Sequence, residues 1–210
     1  MNQRPTTDGS YHKRYSALVD DFLRFATDTE AQAWLEGEFG QRAEQLSPEL
    51  RDALITYKNS DYERLNEHAR NGLETREHLL VDDAIASHTL SKPVIGYRGI
   101  IDGTECLHRL SRGARIEDAG YWSLSLLEDI GWGFASTGRR PETRIVFRVR
   151  LDARHHAIPA AAPDLLEEMH EYELLLARGS QFELLEQPRL RRAAKAGGAA
   201  YYLIDVELMP

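Results

Sequence analysis

The sequence of 210 residues contains one cysteine, Cys106. A single thiol excludes an internal disulfide and any cysteine-rich zinc site. Long apolar runs are missing as well. Stretches such as Tyr201 to Ile204 fall far short of the roughly 20 residues that cross a bilayer, so no membrane partner is expected. Met1 to Ser10 are polar and lack the apolar stretch of a secretory leader. Positive charge is in deficit: 26 Lys and Arg against 34 Asp and Glu give a net charge of −8. That balance argues against a general nucleic-acid binder, although a local basic patch is compatible with it. Internal repeats and low-complexity tracts are absent too. What is present suits a globular chain: 42% hydrophobic and 29% charged residues. The length suits one domain, at most one and a half.

Residues 1–10 read as a frayed terminus and 11–210 as a single domain, mainly helical over 11–92 and mainly strand over 93–210. Tyr15, Leu18, Val19, Phe22 and Phe25 recur at helical spacing. A second helix is expected over Glu30 to Phe39, before Gly40. Ser47-Pro48-Glu49 is a start signal for a helix to about Tyr57. Ser60 and Glu63 have capping-box spacing, and the helix they open ends at Asn71-Gly72. Another helix is expected from Leu73 to Leu90.

The pattern then changes. Val94 to Arg98 reads as a strand, and Ser125 with Glu128 opens a short helix to about Ala135. Thr137 to Pro141 is a loop and Pro159 to Pro163 a turn region. Apolar residues alternate from Ile145 to Leu151, the period of a half-buried strand. Tyr172 to Leu176, Gln181 to Leu185 and Tyr201 to Leu208 read as further strands. Helices first and strands later make the fold class α+β.

Three short features can carry chemistry. Tyr97-Arg98-Gly99 closes a strand, where a guanidinium can grip a diphosphate as a fork and a glycine admits a ligand to the backbone. Ser123-Leu124-Ser125 leads into a helix. Glu171 and Glu173 stand two apart at the start of an apolar strand, so the pleat projects them together. Paired carboxylates suit chemistry that passes through an oxocarbenium-like sugar. Taken singly, each feature also fits an ordinary surface arginine, a helix cap or a solvated face.

In this order and spacing, the three features resemble the Arg–Ser–Glu class of mono-ADP-ribosyltransferases, the NAD-using exoenzymes of bacterial toxins and phages. Tyr57, Tyr62, Asn66 and Arg70 look like that family's helix of the form Y…Y..N..LR, with Ala69 in the Leu position. Gly179-Ser180-Gln181-Phe182 follows the glutamates as the family's G-S-x-F does. The resemblance covers about Tyr57 to Glu186. It implies N-terminal helices packed on a strand-rich core of two antiparallel-type sheets around an NAD cleft.

By the same resemblance, Arg98 would hold the NAD phosphates and Gly99 would offer its backbone to the nicotinamide amide. Ser123 would orient Glu173, which would bind the ribose and stabilise the oxocarbenium ion. Glu171 would orient and deprotonate an acceptor arginine. Phe134 would stack on nicotinamide, a cationic ring that suits an aromatic face. Arg139 or Arg140 would add a phosphate contact. Leu124 stands where the family has Thr and is expected in the core. The segment Ala157 to His170 matches the family's substrate-recognition loop.

The implied activity is transfer of ADP-ribose from NAD to arginine on a target protein. RNA, DNA or water as acceptor, and an inactive NAD-binding module, are the alternatives. A toxin of this kind would need an immunity or antitoxin protein if made in a susceptible cell. It would act in a cytoplasm, delivered by a secretion system or a phage. His155, His156 and His170 lack ligand spacing, so no metal is expected. Gly131-Trp132-Gly133 is not a dinucleotide fingerprint. Trp122 and Trp132 are expected in the core, and Arg189 to Arg192 as a solvated turn.

Overall fold

Helices precede strands in the computed structural model, which describes residues 21–43, 45–101, 103–110, 115–136, 143–159, 171–192 and 199–210. Helix α1 (Asp28–Ala43) runs straight through Gly40 and is longer than expected. Its start is set by a reciprocal cap: Thr27 Oγ1 accepts from the Glu30 N–H, and the Glu30 carboxylate accepts from the Ala26 and Thr27 N–H groups. Helix α2 (Pro48–Thr56) starts where Ser47 and Pro48 predict, with Ser47 Oγ accepting from the Leu50 N–H at 3.3 Å.

The chain does not break at Ser60. A π-helical segment, Tyr57–Asp61, leads directly into α3 (Tyr62–Arg70). Ser60 Oγ donates to the Thr56 carbonyl within that continuous helix, so the Ser60–Glu63 spacing does not act as a cap. Gly72, at φ 71°, terminates α3 as expected. Helix α4 (Arg76–Ala86) is shorter than the 73–90 expected, because Thr75 takes the cap position and its N–H donates to His78 Nδ1.

The rest of the chain is β1 (Val94–Ile100), α5 (Thr104–Leu110), β2 (Ile116–Glu117), β3 (Trp122–Ser125), α6 (Glu128–Ser136), β4 (Ile145–Leu151), β5 (Glu173–Leu176), β6 (Gln181–Leu184), β7 (Arg189–Arg192) and β8 (Ala200–Leu208). The α+β class holds. Helix α5 is not among the elements expected from the sequence. Strand β7 replaces the solvated turn: its four residues are exposed but pair with β8.

The strands join as β2-β6-β8-β4-β1-β3-β5, with β7 also on β8. All pairings between the named strands are antiparallel except β4 with β8. Two sheets were the expectation, but the ladder is continuous. It narrows where β1 meets β3 through the single register pair Tyr97↔Ser125, and β3 and β5 hang from that joint.

The packing follows the pleat. On β5, Leu174 and Leu176 enter the main core with Ala31, Leu35 and Phe39 of α1, while Leu175 faces a second cluster with Leu54, Leu65, Val81, Ile85 and Tyr121. The Leu174-Leu175-Leu176 run is therefore a strand covered on both sides. Strand β4 is not half-buried either: Val146 and Arg150 are as shielded as the alternate apolar residues. A third cluster, with Ile95, Ala135 and Leu203, lies over Val146. Leu124 is fully buried, as expected.

Phe22 and Phe25 do not continue a helix. Leu23 donates to the Pro93 carbonyl and accepts from the Ile95 N–H, so its backbone is committed to a bridge with the start of β1. Tyr15, Leu18 and Val19 lie outside the described residues, as do the 137–141 loop and most of the 157–170 segment.

Candidate active site

A cleft of about 410 Å³ lies between the helices and the β1–β3–β5 side of the sheet. Arg98, Gly99, Ser123, Phe134, Glu171 and Glu173 all line it. Arg139 and Arg140 lie outside the described residues. Residues far apart in the chain meet there because β1, β3 and β5 are ladder neighbours.

Arg98 is held on two sides. Its guanidinium lies 5.0 Å from the centroid of the Trp122 ring, and NH1 donates to the Ser123 carbonyl at 3.1 Å. Burial lowers its pKa, opposed by Asp118, Tyr57 and Glu173, and an arginine so placed stays cationic at neutral pH. Trp122 thus sits in the core, as expected, and also supports a site residue. Gly99 has a packing reason for being glycine. A Cβ there would stand 1.9 Å from the Gly131 carbonyl oxygen and 2.5 Å from the Ala135 nitrogen, inside α6. Phe134, on the same helix, keeps 44% of its surface exposed at the cleft.

The glutamates meet in a different way from the one the pleat implies. Strand β5 begins only at Glu173, and Tyr172 before it has φ 45°, a left-handed conformation uncommon outside glycine. The turn at Tyr172, not a shared strand face, brings the carboxylates to one place. Their exposure is unequal: 44% for the Glu171 side chain and 7% for Glu173. Across the ladder, Glu173 is opposite Ser125, while Ser123 is opposite Leu175. Ser125 Oγ accepts from the Leu127 N–H, just ahead of α6, which begins at Glu128. The Glu173 carboxylate is engaged by Lys58 rather than by Ser123.

Lys58 is the residue that sequence reasoning missed. Its Nζ donates to Oε2 of Glu171 at 2.5 Å and to Oε2 of Glu173. Burial works to lower its pKa, but the two carboxylates prevail and hold it above the ordinary lysine value. The available signal was rarity: the chain has four lysines among 26 basic residues, and this one lies inside the Tyr57–Arg70 pattern.

The rest of that pattern fastens the helical wall to the sheet. Asn66 Nδ2 donates to the Tyr57 hydroxyl at 3.2 Å, and Asn66 Oδ1 accepts from the Tyr121 N–H at 2.6 Å. Burial pushes the Tyr57 phenol up to about 12, so it remains a neutral hydroxyl. Arg70 forks onto Asp118 with two bonds of 2.9 Å, and Asp118 also accepts from the Gly120 N–H. Tyr62 lines the cleft and is half exposed.

The described residues contain no group of three His, Cys, Asp or Glu able to hold a metal ion. His155 Nδ1 accepts from the Asp152 N–H and so closes a turn. His170 lies outside the described residues. Chemically, the cleft offers a planar cation for an anionic group, a partly exposed aromatic ring and two carboxylates.

The family model described as ADP-ribosyltransferase exoenzyme matches residues 31–209. Comparison with curated proteins gives no match. Among solved structures, the chain is similar to the enzymatic component C2-I of the C2-toxin from Clostridium botulinum, at 21% identity and a TM-score of 0.70. That match covers 90% of this chain and 50% of C2-I, so the chain spans about half the length of that relative. Plx2a, an ADP-ribosyltransferase toxin from Paenibacillus larvae, is similar at 18% identity and a TM-score of 0.67, over 90% and 100% of the two chains. The C3 exoenzyme of Clostridium limosum is similar at 22% identity and 0.65, over 91% and 99%. At these identities the likeness is one of fold.

Proposed function

The chain belongs to the ADP-ribosyltransferase exoenzyme family, and from that premise we propose that it transfers ADP-ribose from NAD to an arginine of a target protein. In this reaction the bond between the nicotinamide nitrogen and ribose C1′ breaks, and its electron pair leaves with nicotinamide. The ribose passes through an oxocarbenium-like state. A guanidino nitrogen then bonds to C1′, and the guanidinium loses one proton. NAD is consumed as a substrate, and the proposal assigns no role to a metal.

Each task has a candidate. Arg98, held over the Trp122 ring and by the Ser123 carbonyl, suits the phosphates. The Phe134 ring, partly exposed where it lines the cleft, suits the cationic nicotinamide ring. Glu173, almost buried, suits stabilisation of the positive sugar, because charge acts most strongly where water is excluded. Glu171, far more exposed, suits an acceptor that arrives from solution and must give up a proton. Gly99 and Ser123 line the same cleft beside them.

The observation that carries the proposal is the convergence of two carboxylates of unequal exposure on one cation, in a cleft shared with Arg98 and Phe134. The test is incubation with NAD labelled in its ADP-ribose part, together with a cell lysate. Free nicotinamide with labelled protein is expected, the label mapping to arginine by mass spectrometry. Nicotinamide without protein label would move the acceptor to water or nucleic acid. No nicotinamide would leave an inactive NAD-binding module.

A further inference from the structure

We infer that Lys58 is a positioning residue for both glutamates, its ammonium keeping the two carboxylates charged at the same time and aimed at one point. The inference rests on the reading that Glu171 and Glu173 are the reacting carboxylates. Two independent features of the backbone converge on this one contact. Lys58 lies within the π-helical segment Tyr57–Asp61, between two α-helices. Such segments insert a residue into a helix and redirect side chains, and they recur at functional sites. On the other side, Tyr172 between the glutamates takes the left-handed conformation. The same stretch also reaches the second core cluster, through Leu54, Tyr57 and Leu65 from the helices and Leu175 from β5.

The chemistry makes such a cation necessary. Oxygens that bond to one nitrogen lie within the roughly 6 Å over which like charges disfavour each other's ionisation. A cation between two carboxylates this close offsets their mutual repulsion. The proposed reaction needs both charges at once, one toward the sugar and one toward the acceptor. Among the described residues, the other titratable side chains that line the cleft with this cluster are Tyr57 and Tyr62 from the same helix, Tyr97 and Arg98 from β1, and Tyr121. All four tyrosines are held neutral, with pKa values above the ordinary phenol value. Arg98 is engaged with Ser123 and Trp122. Among the described residues, Lys58 is therefore the cation that bonds directly to the pair.

The test compares the pH profile of nicotinamide release for the unmodified chain, Lys58→Met and Lys58→Arg. For Lys58→Met the acid limb is expected to move up by about one pH unit, with activity partly regained at higher pH. Lys58→Arg should leave the limb in place. A uniform loss at every pH with an unmoved limb would overturn the inference and leave Lys58 a packing residue. Lys58→Gln, which keeps a polar tip, takes the place of Lys58→Met if the latter does not fold. A second measurement, titration of the glutamate side-chain carboxylates by carbon NMR, reads the same shift without turnover. It decides the inference even if the unmodified chain releases no nicotinamide, an outcome that would sink the proposed function alone.

Discussion

The two walls of the cleft are built by different means. The strand wall holds Arg98, Ser123 and Glu173 on β1, β3 and β5, each fixed by ladder pairs. The helical wall holds Tyr57, Lys58, Tyr62 and Asn66 on one continuous helix with an irregular middle. Apolar residues of each wall meet in the second core cluster. Around the cleft, however, the walls are joined by polar bridges: Lys58 to the glutamates, Asn66 to Tyr121 and Arg70 to Asp118. Arg178 adds another, reaching Asp82 and Glu74 on the helical side. Apolar burial thus sets whether the walls assemble. The bridges set where they stand.

The most drastic way to break that comparison is to remove the first helices. Deleting residues 1–56 takes away Leu35 and Phe39 from the main core and Leu54 from the second. At roughly 1.5–3 kcal/mol for each large buried side chain, these three alone rival the total stability of a typical domain. Insoluble protein is expected on expression. A soluble and active fragment starting at Tyr57 would show that α1 and α2 are an appendage and that the strand wall stands unaided.

Within the strand wall, the two glutamates should separate by role. Glu173→Gln keeps the shape and removes the charge, and nicotinamide release should fall by about 10²–10³. Glu171→Gln should abolish arginine modification yet spare slow hydrolysis of NAD, because only the acceptor's guanidinium, with a pKa above about 12, needs the extra base. The assays are nicotinamide release and labelling of an agmatine-like amine, run on both variants. Arginine labelling that survives in Glu171→Gln would remove that residue from acceptor activation and bring a nucleic-acid acceptor forward.

The contrast between the walls also explains what could be read from the sequence. Arg98, Ser123 and Glu173 line the cleft, and what marked them in the sequence was the ordered set of short motifs that resembles a known family, not periodicity. The main α-helices were legible where caps announce them, as Ser47-Pro48 does. Lys58 was not legible, because a π-helical segment leaves no periodic mark and its partners lie more than 110 residues away. Strand β7 was missed because nothing local distinguishes an exposed edge of arginines from a turn. The buried second face of β4 was missed because its cover comes from distant elements, among them Ala135 and Leu203.

A smaller effect tests how the strand wall holds its arginine. Arg98→Lys keeps the charge but loses the planar fork and its stacking over Trp122. Losing one charge-assisted hydrogen bond costs about 1.5 kcal/mol, so NAD should bind about tenfold more weakly with the fold intact. Calorimetric titration measures this. Unchanged affinity would mean that the phosphates are held elsewhere, for which Arg139 and Arg140 are the next residues to replace.

The smallest effect concerns a single bridge. Burial would raise the pKa of Asp118, but hydrogen bonds from Arg70 and the Gly120 N–H, with the charges of Arg70 and Arg98, outweigh it and hold the carboxyl below the ordinary aspartate value of 3.8. The sign follows from linkage. The unfolded chain takes up a proton at Asp118 before the folded chain does, so stability falls as pH drops below about that ordinary value and levels off once the folded carboxyl is protonated too. Above that window the contribution is constant. Asp118→Asn removes the proton uptake, so it should flatten the acid end of a stability-against-pH curve measured by urea unfolding. At neutral pH the same variant should cost no more than about 1 kcal/mol, because Arg70 is half exposed and such pairs contribute little in water. An acid slope identical in the two proteins would show that the bridge does not help to place the helical wall, and that the apolar cluster beneath it positions the wall alone.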